Sequence, residues 1–182
     1  MQKKLLLDNQ LFDITIHRLC HQLIENHGNF ENVVMIGLQP RGIFLADRIK
    51  KSLDEILKMD IPLGFLDITF YRDDFRRRDK PIRANATHMP FIIEDKKVIL
   101  IDDVLFTGRS VRAAMDAMTA FGRPLLVELL VLIERKYTRQ LPIHPTYIGK
   151  SVNTMQSQRV EVEWKEQGAK NDHIWLISKT EG

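Results

Sequence analysis

Short apolar runs alternate with amphipathic stretches along this chain, and this alternation constrains its fold more than any other feature. Val33–Leu38 is an apolar run that ends in a loop, and the apolar residues after it keep helical spacing as far as Ile56. Residues 98–101, 109–121 and 125–133 then read as strand, helix and strand. Strands that alternate with helices predict a parallel sheet, because right-handed crossovers place helices on its faces. The chain is therefore predicted to be an α/β protein.

The remaining segments have weaker local signals. Asp8 is predicted to cap a first helix and Gly28 to end it. Residues 63–71 are predicted to form a strand, and the charged segment 72–85, which has no apolar period, a mobile loop. Residues 160–164 and 174–177 are predicted to add edge or antiparallel strands. The apolar positions of the first helix are Leu11, Ile14, Leu19 and Leu23.

The composition indicates the class of protein. The chain has 182 residues, 44% hydrophobic and 28% charged, which is typical of one folded domain, predicted over residues 1–182. The net charge of +3 is too small to indicate a nucleic-acid binder by itself. No apolar run reaches the roughly 18 residues of a membrane span, and the start of the chain lacks a secretory signal. The single cysteine, Cys20, fits a reducing compartment, so we expect a cytoplasmic protein without membrane contact.

Residues 98–110, VILIDDVLFTGRS, carry the strongest chemical signal. Backbone amides from Thr107 to Ser110 would converge on an anion at the positive end of the next helix, and Gly108 lets the main chain approach it. Asp102 and Asp103 would accept hydrogen bonds from two vicinal hydroxyls. Together these groups predict a site for a ribose 5-phosphate, although each taken alone is also typical of a solvated strand end or a helix cap. The phosphate-loop and dinucleotide-binding glycine patterns are absent from the sequence.

Two further arginines suit a polyanionic ligand. Arg41, in the loop 37–42 (GLQPRG), could hold a second anionic group, and the alternative is an ordinary turn with a solvated arginine. Arg72 opens the charged loop, and we expect it to neutralise a leaving group and to help exclude water. The residues 76–78, three arginines in a row, continue this loop, and some of them are expected to be a solvated charge run.

The string VILIDDVLFTGRS resembles the PRPP-binding motif of type I phosphoribosyltransferases, in which two acids hold the ribose hydroxyls and the following loop holds the 5′-phosphate. The resemblance continues in GLQPRG at 37–42, DITFYRDD at 67–74, VRAAMDAM at 111–118 and LPIHPTYIGK at 141–150. These segments are similar to the members of the family that combine uracil phosphoribosyltransferase activity with RNA-binding control of pyrimidine operons.

The resemblance implies a type I phosphoribosyltransferase fold, with a central, mostly parallel sheet flanked by helices, a flexible hood loop and C-terminal edge strands. It implies that uracil and PRPP give UMP and pyrophosphate, with inversion at the anomeric carbon, and that Mg²⁺ is bound mainly through PRPP and water. The predicted catalytic residues are Arg72 and Asp103. The predicted substrate-binding residues are Asp102, Asp103, Val104, Leu105, Phe106, Thr107, Gly108, Arg109, Ser110, Pro40, Arg41 and Arg135.

The resemblance also implies an RNA-binding face that would contact leader RNA of a pyrimidine operon. Its residues in this sequence are Arg18, His21, Arg139 and Lys150. Three positions depart from the regulatory members of the family: His17 replaces threonine, Thr138 replaces histidine and His144 replaces arginine. His17 and His21 lie one helical turn apart, but no third ligand at a motif spacing accompanies them, so no metal site is predicted.

Three interpretations therefore remain open. The chain is an enzyme that also regulates through RNA, an RNA-binding attenuator with little enzymatic role, or a plain phosphoribosyltransferase with this or another base. The resemblance implies a homodimer or a higher homo-oligomer.

Overall fold

The computed structural model describes residues 2–73 and 84–178, and in these ranges five parallel strands form a central sheet in the order β3-β2-β4-β5-β6. The middle strand, β4, extends past the predicted end at residue 101 to Leu105, so the acid pair lies within the strand. The strands are β2 (Val33–Leu38), β3 (Leu63–Leu66), β4 (Lys97–Leu105), β5 (Leu126–Lys136) and β6 (Tyr147–Asn153). This confirms the predicted parallel α/β sheet.

Helices cover both faces of the sheet, and successive strand residues pack against opposite layers. Met35 and Ile99 pack with the apolar sides of α1 and α2, whereas Val34 and Leu100 pack with α3. Because both faces are covered, all six residues of β2 are buried. The helices are α1 (Asn9–His27), α2 (Gly42–Leu57) and α3 (Arg109–Met118), and α3 continues as the 3₁₀ turn Thr119–Phe121.

The first helix has the predicted ends, and only part of its predicted apolar side is buried. Asp8 Oδ1 accepts a hydrogen bond from Leu11 N at 2.8 Å, and Gly28 closes the helix with a φ of 57°. Of the predicted apolar positions, Leu19 and Leu23 are buried, whereas Leu11 and Ile14 are 47% and 54% exposed. Phe12 instead enters the core and determines which side of the helix faces the sheet. The buried residues of α1 are Phe12, Thr15, Ile16, Leu19, Cys20 and Leu23.

The predicted strand 63–71 is wrong in its second half. It ends at Leu66, and Thr69–Tyr71 forms a 3₁₀ turn. The reason is Asp67, whose carboxylate accepts from Thr69 N at 3.0 Å and from Asn85 N at 2.8 Å and so bends the chain out of the sheet. Most of the predicted mobile loop, residues 74–83, lies outside the described residues.

A second sheet combines the two ends of the chain. β1 (Gln2–Leu7), β7 (Arg159–Glu163) and β8 (His173–Ser178) are antiparallel, in the order β1-β8-β7. The predicted C-terminal strands are thus present and antiparallel, but they form a separate sheet and not an edge of the central one. The sequence interpretation missed β1 and β6. Within the described residues, no helix has the length and apolar character needed to cross a membrane.

Candidate active site

The loop between β4 and α3 presents backbone amides at the start of a helix. Gly108 precedes α3 with a φ of 90°, a conformation that glycine adopts without steric cost. The carbonyl of Thr107 accepts hydrogen bonds from the amides of Gln140 at 3.0 Å and Leu141 at 3.2 Å, which fixes the loop from the side of the β5–β6 connection. The amide of Arg109 makes only a long hydrogen bond to Thr107 Oγ1, at 3.4 Å. The helix dipole and the amides of the first turn make this end of α3 suitable for an anion.

A cavity of about 270 Å³ opens in front of this loop. It joins the loop to one acid of β4 and to Arg72, which comes from a distant part of the sequence. All its lining residues except Val111 are predicted site residues. They are Arg72, Asp102, Val104, Leu105, Phe106, Thr107, Gly108, Arg109, Ser110 and Val111.

The two acids lie on opposite sides of β4, because successive residues of a strand alternate in direction. Asp102 lines the cavity, whereas Asp103 is only 8% exposed and is not among the lining residues. Arg41 Nε donates to Asp103 Oδ2 at 2.9 Å, and Asp103 N donates to Asp102 Oδ1 at the same distance. In this conformation the cavity therefore offers one of the two carboxylates, and the other is paired with an arginine.

Both carboxyl groups resist ionisation. Burial raises the pKa of Asp102 well above its ordinary value, and the negative charge of Asp103 raises it further. The positive charges of Arg72 and Arg41 oppose this rise only in part. Burial also raises the pKa of Asp103, and the ion pair with Arg41 works against it. The site would therefore gain from a ligand that supplies cations or hydrogen-bond donors.

The loop 37–42 brings the side chain of Arg41 into contact with Asp103 of the acid pair. The Gln39–Pro40 peptide bond is cis. A side chain at Gly42 would approach a backbone carbonyl of β4 to 2.6 Å, so only glycine permits this close contact. Arg41 binds Asp103 and also donates through Nη2 to the carbonyl of Val162 in β7. The predicted pyrophosphate-binding arginine is therefore engaged by the protein itself in this conformation.

The start of the charged loop contacts the loop between β4 and α3 and the first residue of α3, residues 106–109, which together form the anion loop. Arg72 lines the cavity, and its positive charge lowers the pKa of Asp102. Asp73 forms an ion pair with Arg109 Nη1, and Arg109 Nε donates to Gln140 at 2.9 Å. The arginines at 76–78 lie outside the described residues.

Arg135 supports the site without lining the cavity. It is 5% exposed, and its guanidinium lies 3.9 Å from the centroid of the Phe106 ring. Its nitrogens donate to Thr154 Oγ1 at 3.1 Å and to the carbonyls of Met155 at 3.1 Å and Gln158 at 2.7 Å. Arg135 thereby connects Phe106, at the start of the loop between β4 and α3, to the turn before β7.

The four predicted RNA-binding residues lie on α1, on β6 and in the β5–β6 connection. Arg18 donates to the carbonyl of Ile148 at 3.2 Å, and Lys150 donates to the carbonyl of Leu6 at 3.0 Å. His21 is exposed on the same helix as Arg18. Two of these cations therefore connect parts of the chain as well as facing solvent.

Arg139 has a different environment. Its guanidinium donates to the carbonyl of Phe106 at 2.7 Å and to Glu134 at 3.2 Å, so it contacts the anion loop directly. Thr138, one of the departures from the family pattern, is buried, and its hydroxyl donates to the carbonyl of Arg135 at 3.3 Å. His17 and His144, the other two, are exposed.

The sequence interpretation missed the contribution of the C-terminal sheet. Residues 160–164 were predicted only as an edge or antiparallel strand, yet the carbonyl of Val162 accepts from Arg41, and the buried Trp164 side chain lowers the pKa of Asp103. No local signal links them to the acids, since about 60 residues separate the two segments. The described residues contain no group of three or more His, Cys, Asp or Glu that could hold a metal ion.

Comparisons with known proteins agree with this geometry. The phosphoribosyl transferase domain family matches residues 2–167. The Bifunctional protein PyrR of Haemophilus ducreyi is 40% identical over 181 residues, which is 99% of both chains, and that of Listeria monocytogenes is 41% identical over 185 residues, all of both chains.

Solved structures show the same fold at low identity. A hypoxanthine phosphoribosyltransferase from Staphylococcus aureus has a TM-score of 0.69 at 18% identity, covering 94% of this chain and 90% of its own. That of Trypanosoma cruzi has a TM-score of 0.71 at 12% identity, covering 96% of both chains. The predicted fold and the predicted resemblance are both confirmed, and the chain belongs to the phosphoribosyl transferase family.

Proposed function

We propose that this phosphoribosyltransferase transfers the phosphoribosyl group of PRPP to uracil, giving UMP and pyrophosphate. The observation that carries the proposal is the cavity that joins the Asp102 carboxylate to the amides from Thr107 to Ser110. A ribose 5-phosphate carries two vicinal hydroxyls and a phosphate dianion on the same sugar. The anion suits the start of α3, and the hydroxyls suit the carboxylates.

The chemistry follows from where charge develops. The bond from the anomeric carbon to the pyrophosphate oxygen breaks, and its electron pair leaves with pyrophosphate. A base nitrogen bonds to the same carbon from the opposite face, the sugar is cationic in between, and the proton of the base N–H passes to pyrophosphate or water. Arg72 at the cavity would stabilise the departing polyanion, and the acid pair would stabilise the ribosyl cation. Mg²⁺, bound mainly through PRPP oxygens and water, would neutralise part of the pyrophosphate charge. The carboxylates and open cavity fit such an ion.

The transfer reaction has a direct test. The purified protein is incubated with PRPP, Mg²⁺ and radiolabelled uracil, orotate or hypoxanthine, and the nucleotide product is measured. We expect UMP from uracil and little product from the other bases. Failure to form UMP under these conditions would contradict the proposal, and product from another base would favour a plain phosphoribosyltransferase with that specificity.

We also propose that the chain binds pyrimidine-operon leader RNA in a UMP-dependent manner. The exposed positions Arg18, His21 and Lys150 support it, and the name of the curated relatives includes the word bifunctional. Filter binding at physiological salt should show tighter binding of the leader hairpin than of a scrambled hairpin, and tighter still with UMP. Equal binding of both hairpins by an active transferase would leave a plain phosphoribosyltransferase.

A homo-oligomer in the cytoplasm completes the proposal. Leu11 and Ile14 expose about half of their apolar surface on α1, which favours contact with another copy. The one cysteine, Cys20, is buried, and burial raises the pKa of its thiol to about 12, so it stays unreactive in a reducing compartment. Sedimentation equilibrium should give a mass of at least two chains.

A further inference from the structure

The segment that carries Arg72 leaves the central sheet after β3 and returns beside it through a narrow neck. At the neck, Phe65 and His88 exchange two backbone hydrogen bonds, of 2.7 and 2.8 Å. Further out, Asp67 N donates to Thr87 Oγ1 at 3.1 Å. The outgoing and returning parts of the segment are therefore joined where the chain leaves β3.

The carboxylate of Asp67 contacts both sides of this neck. Its Oδ1 accepts from Thr69 N at 3.0 Å and from Thr69 Oγ1 at 2.6 Å, and its Oδ2 accepts from Asn85 N at 2.8 Å. Between Asp67 and Thr69, Ile68 is buried in the same apolar cluster as Val111, which lines the cavity. One half-buried side chain therefore fixes the start of the 3₁₀ turn to the returning part of the segment.

Arg72 follows this 3₁₀ turn directly. It lines the cavity together with Asp102, and its positive charge lowers the pKa of that carboxyl group. On its other side, Asp73 forms an ion pair with Arg109 of the anion loop. The main chain at Arg72 is thus fixed from two directions, by the ion pair after it and by the turn that Asp67 holds before it.

We propose that Asp67 is a positioning residue for Arg72: by fixing the turn that begins at Thr69, its carboxylate directs the guanidinium into the cavity. The inference rests on the proposed function, in which Arg72 stabilises the departing pyrophosphate. Asp67 is not among the residues that line the cavity, so it acts on the reaction through Arg72. Electrostatic stabilisation needs a cation that is already in place when the charge develops, and a displaced guanidinium therefore loses much of its effect.

The first test is a double-mutant cycle with Arg72→Ala. Asp67→Ala should lower kcat by about tenfold to a hundredfold, as a small displacement of a catalytic group does, and leave the KM for uracil unchanged. In the Arg72→Ala background, the same substitution should lower kcat no further, because no guanidinium remains to be positioned. If the two losses multiply instead, as they would for a merely structural role, Asp67 acts independently of Arg72 and the proposal is overturned.

Asp67→Asn is the conservative variant. Its side-chain oxygen can accept both hydrogen bonds from Thr69, although its amide nitrogen cannot accept from Asn85 N. We expect this variant to keep most of the kcat that Asp67→Ala loses, because the turn before Arg72 is preserved. An equal loss in both variants would show that the turn does not position Arg72, and the proposal would fail.

Asp54→Ala is the matched control. The carboxylate of Asp54 also joins two segments, since it accepts from Ile61 N at 2.9 Å and from Lys50 Nζ at 2.7 Å, but it lies before the start of β3 and Asp67 lies after its end. This variant should lose stability and keep the wild-type kcat. An equal fall of kcat in Asp54→Ala and Asp67→Ala would indicate a general effect of loosened loops and would contradict a specific role of Asp67.

The last test needs no substrate. Displacing the Arg72 charge should raise the pKa of Asp102 further, so the free energy of unfolding should fall more steeply between pH 5 and pH 7.5. Urea unfolding should show this steeper fall in Asp67→Ala as in Arg72→Ala. The wild-type pH dependence in Asp67→Ala would overturn the proposal. If the fall is steeper in both variants but the wild-type protein makes no UMP, the proposed function fails while the positioning of Arg72 by Asp67 stands.

Discussion

The cavity in front of the β4–α3 loop and the basic face, formed by Arg18, His21, Arg139 and Lys150, are built in opposite ways. The cavity comes mainly from one continuous stretch, from Asp102 to Val111, and its one acid, Asp102, is repelled by the neighbouring Asp103. The basic face comes from separate elements, and its cations bind main-chain carbonyls, as Arg18 binds that of Ile148 and Lys150 that of Leu6. In the cavity, the repulsion between the two acids disfavours the folded state until a ligand binds. In the basic face, the hydrogen bonds of the cations stabilise the folded state before any partner binds.

This difference leads to opposite expectations for mutations. Replacing either acid of the pair should damage activity while leaving the fold intact or even more stable, since the buried acids oppose folding. Changes in the basic face should weaken RNA binding and also lower stability wherever the cation connects two parts of the chain. Each prediction below tests one side of this contrast.

Asp103→Asn should give the largest effect. Removing the negative charge should lower turnover by about a hundredfold or more, as when one preorganised group is lost from an active site. The circular dichroism spectrum should not change. Asp116→Asn, on the exposed side of α3 where Asp116 pairs with Arg112 at 3.0 Å, is the control and should keep full activity. Unchanged kcat in folded Asp103→Asn would remove the acid pair from the mechanism.

Gly108→Ala should come next, because the anion loop needs a positive φ. The strain of an alanine there should lower the free energy of unfolding by about 1 kcal/mol and move the loop amides, so the KM for PRPP should rise about tenfold. Gly168→Ala is matched in backbone conformation, with a φ of 88°, and has nothing within 4 Å of an added Cβ. Gly168→Ala should lose similar stability with no change in the KM for PRPP. If the KM for PRPP were the same in Gly108→Ala as in Gly168→Ala, the anion loop would have no role in binding PRPP.

Asp102→Asn should stabilise the protein at neutral pH. The pKa of Asp102 is raised in the folded state by burial and by Asp103, so folding disfavours its charged form. The free energy of unfolding should therefore fall as pH rises from about 4, the ordinary carboxyl pKa, through the raised value. The variant should remove this dependence and gain at least about 1 kcal/mol at pH 7.5.

Urea unfolding of both proteins at pH 5 and pH 7.5 measures this difference, with PRPP binding determined on the same samples. The variant should bind PRPP more weakly, since the cavity loses its carboxylate. A variant less stable than the wild type at pH 7.5 would show that Asp102 supports the fold, and the contrast between the two regions would not hold.

The same contrast explains what could be predicted from sequence. Residues 98–110 place a buried strand, a glycine and a helix start one after another, so the segment that lines the cavity could be recognised from sequence, although its strand was predicted to end at residue 101 and runs to Leu105. Arg72 was predicted as a cation opening a loop, and it lies at the cavity. The resemblance to the family supplied the reaction, which spacing alone does not specify.

Features that depend on distant contacts were missed. The strand predicted over 63–71 stops because Asp67 binds Asn85 across the loop. The buried side of α1 is set by the contact of Phe12 with Trp164, which periodicity within the helix cannot show. β1 was missed because it pairs with β8 at the other end of the chain. The pairing of Arg41 with Asp103 likewise depends on tertiary packing.

The smallest effects should separate two residues of the basic face that the sequence treats alike. Arg18→Ala removes hydrogen bonds between α1 and β6 and should lower the free energy of unfolding by about 1 kcal/mol. His21→Ala, one turn further along the same helix, should stay within about 0.5 kcal/mol of the wild type, as exposed substitutions usually do.

Both variants should weaken leader RNA binding, but the salt dependence should differ. Arg18 carries a fixed charge, so its loss should reduce the magnitude of the slope of log K against log salt by up to about 1, the value for one phosphate contact. The loss of His21, which has no fixed charge, should leave the slope unchanged. Urea unfolding and filter binding over a series of salt concentrations measure both quantities. If Arg18→Ala lost stability but bound RNA as the wild type does, the arginine would be a structural connection between α1 and β6, and the RNA surface would have to be sought nearer to His21.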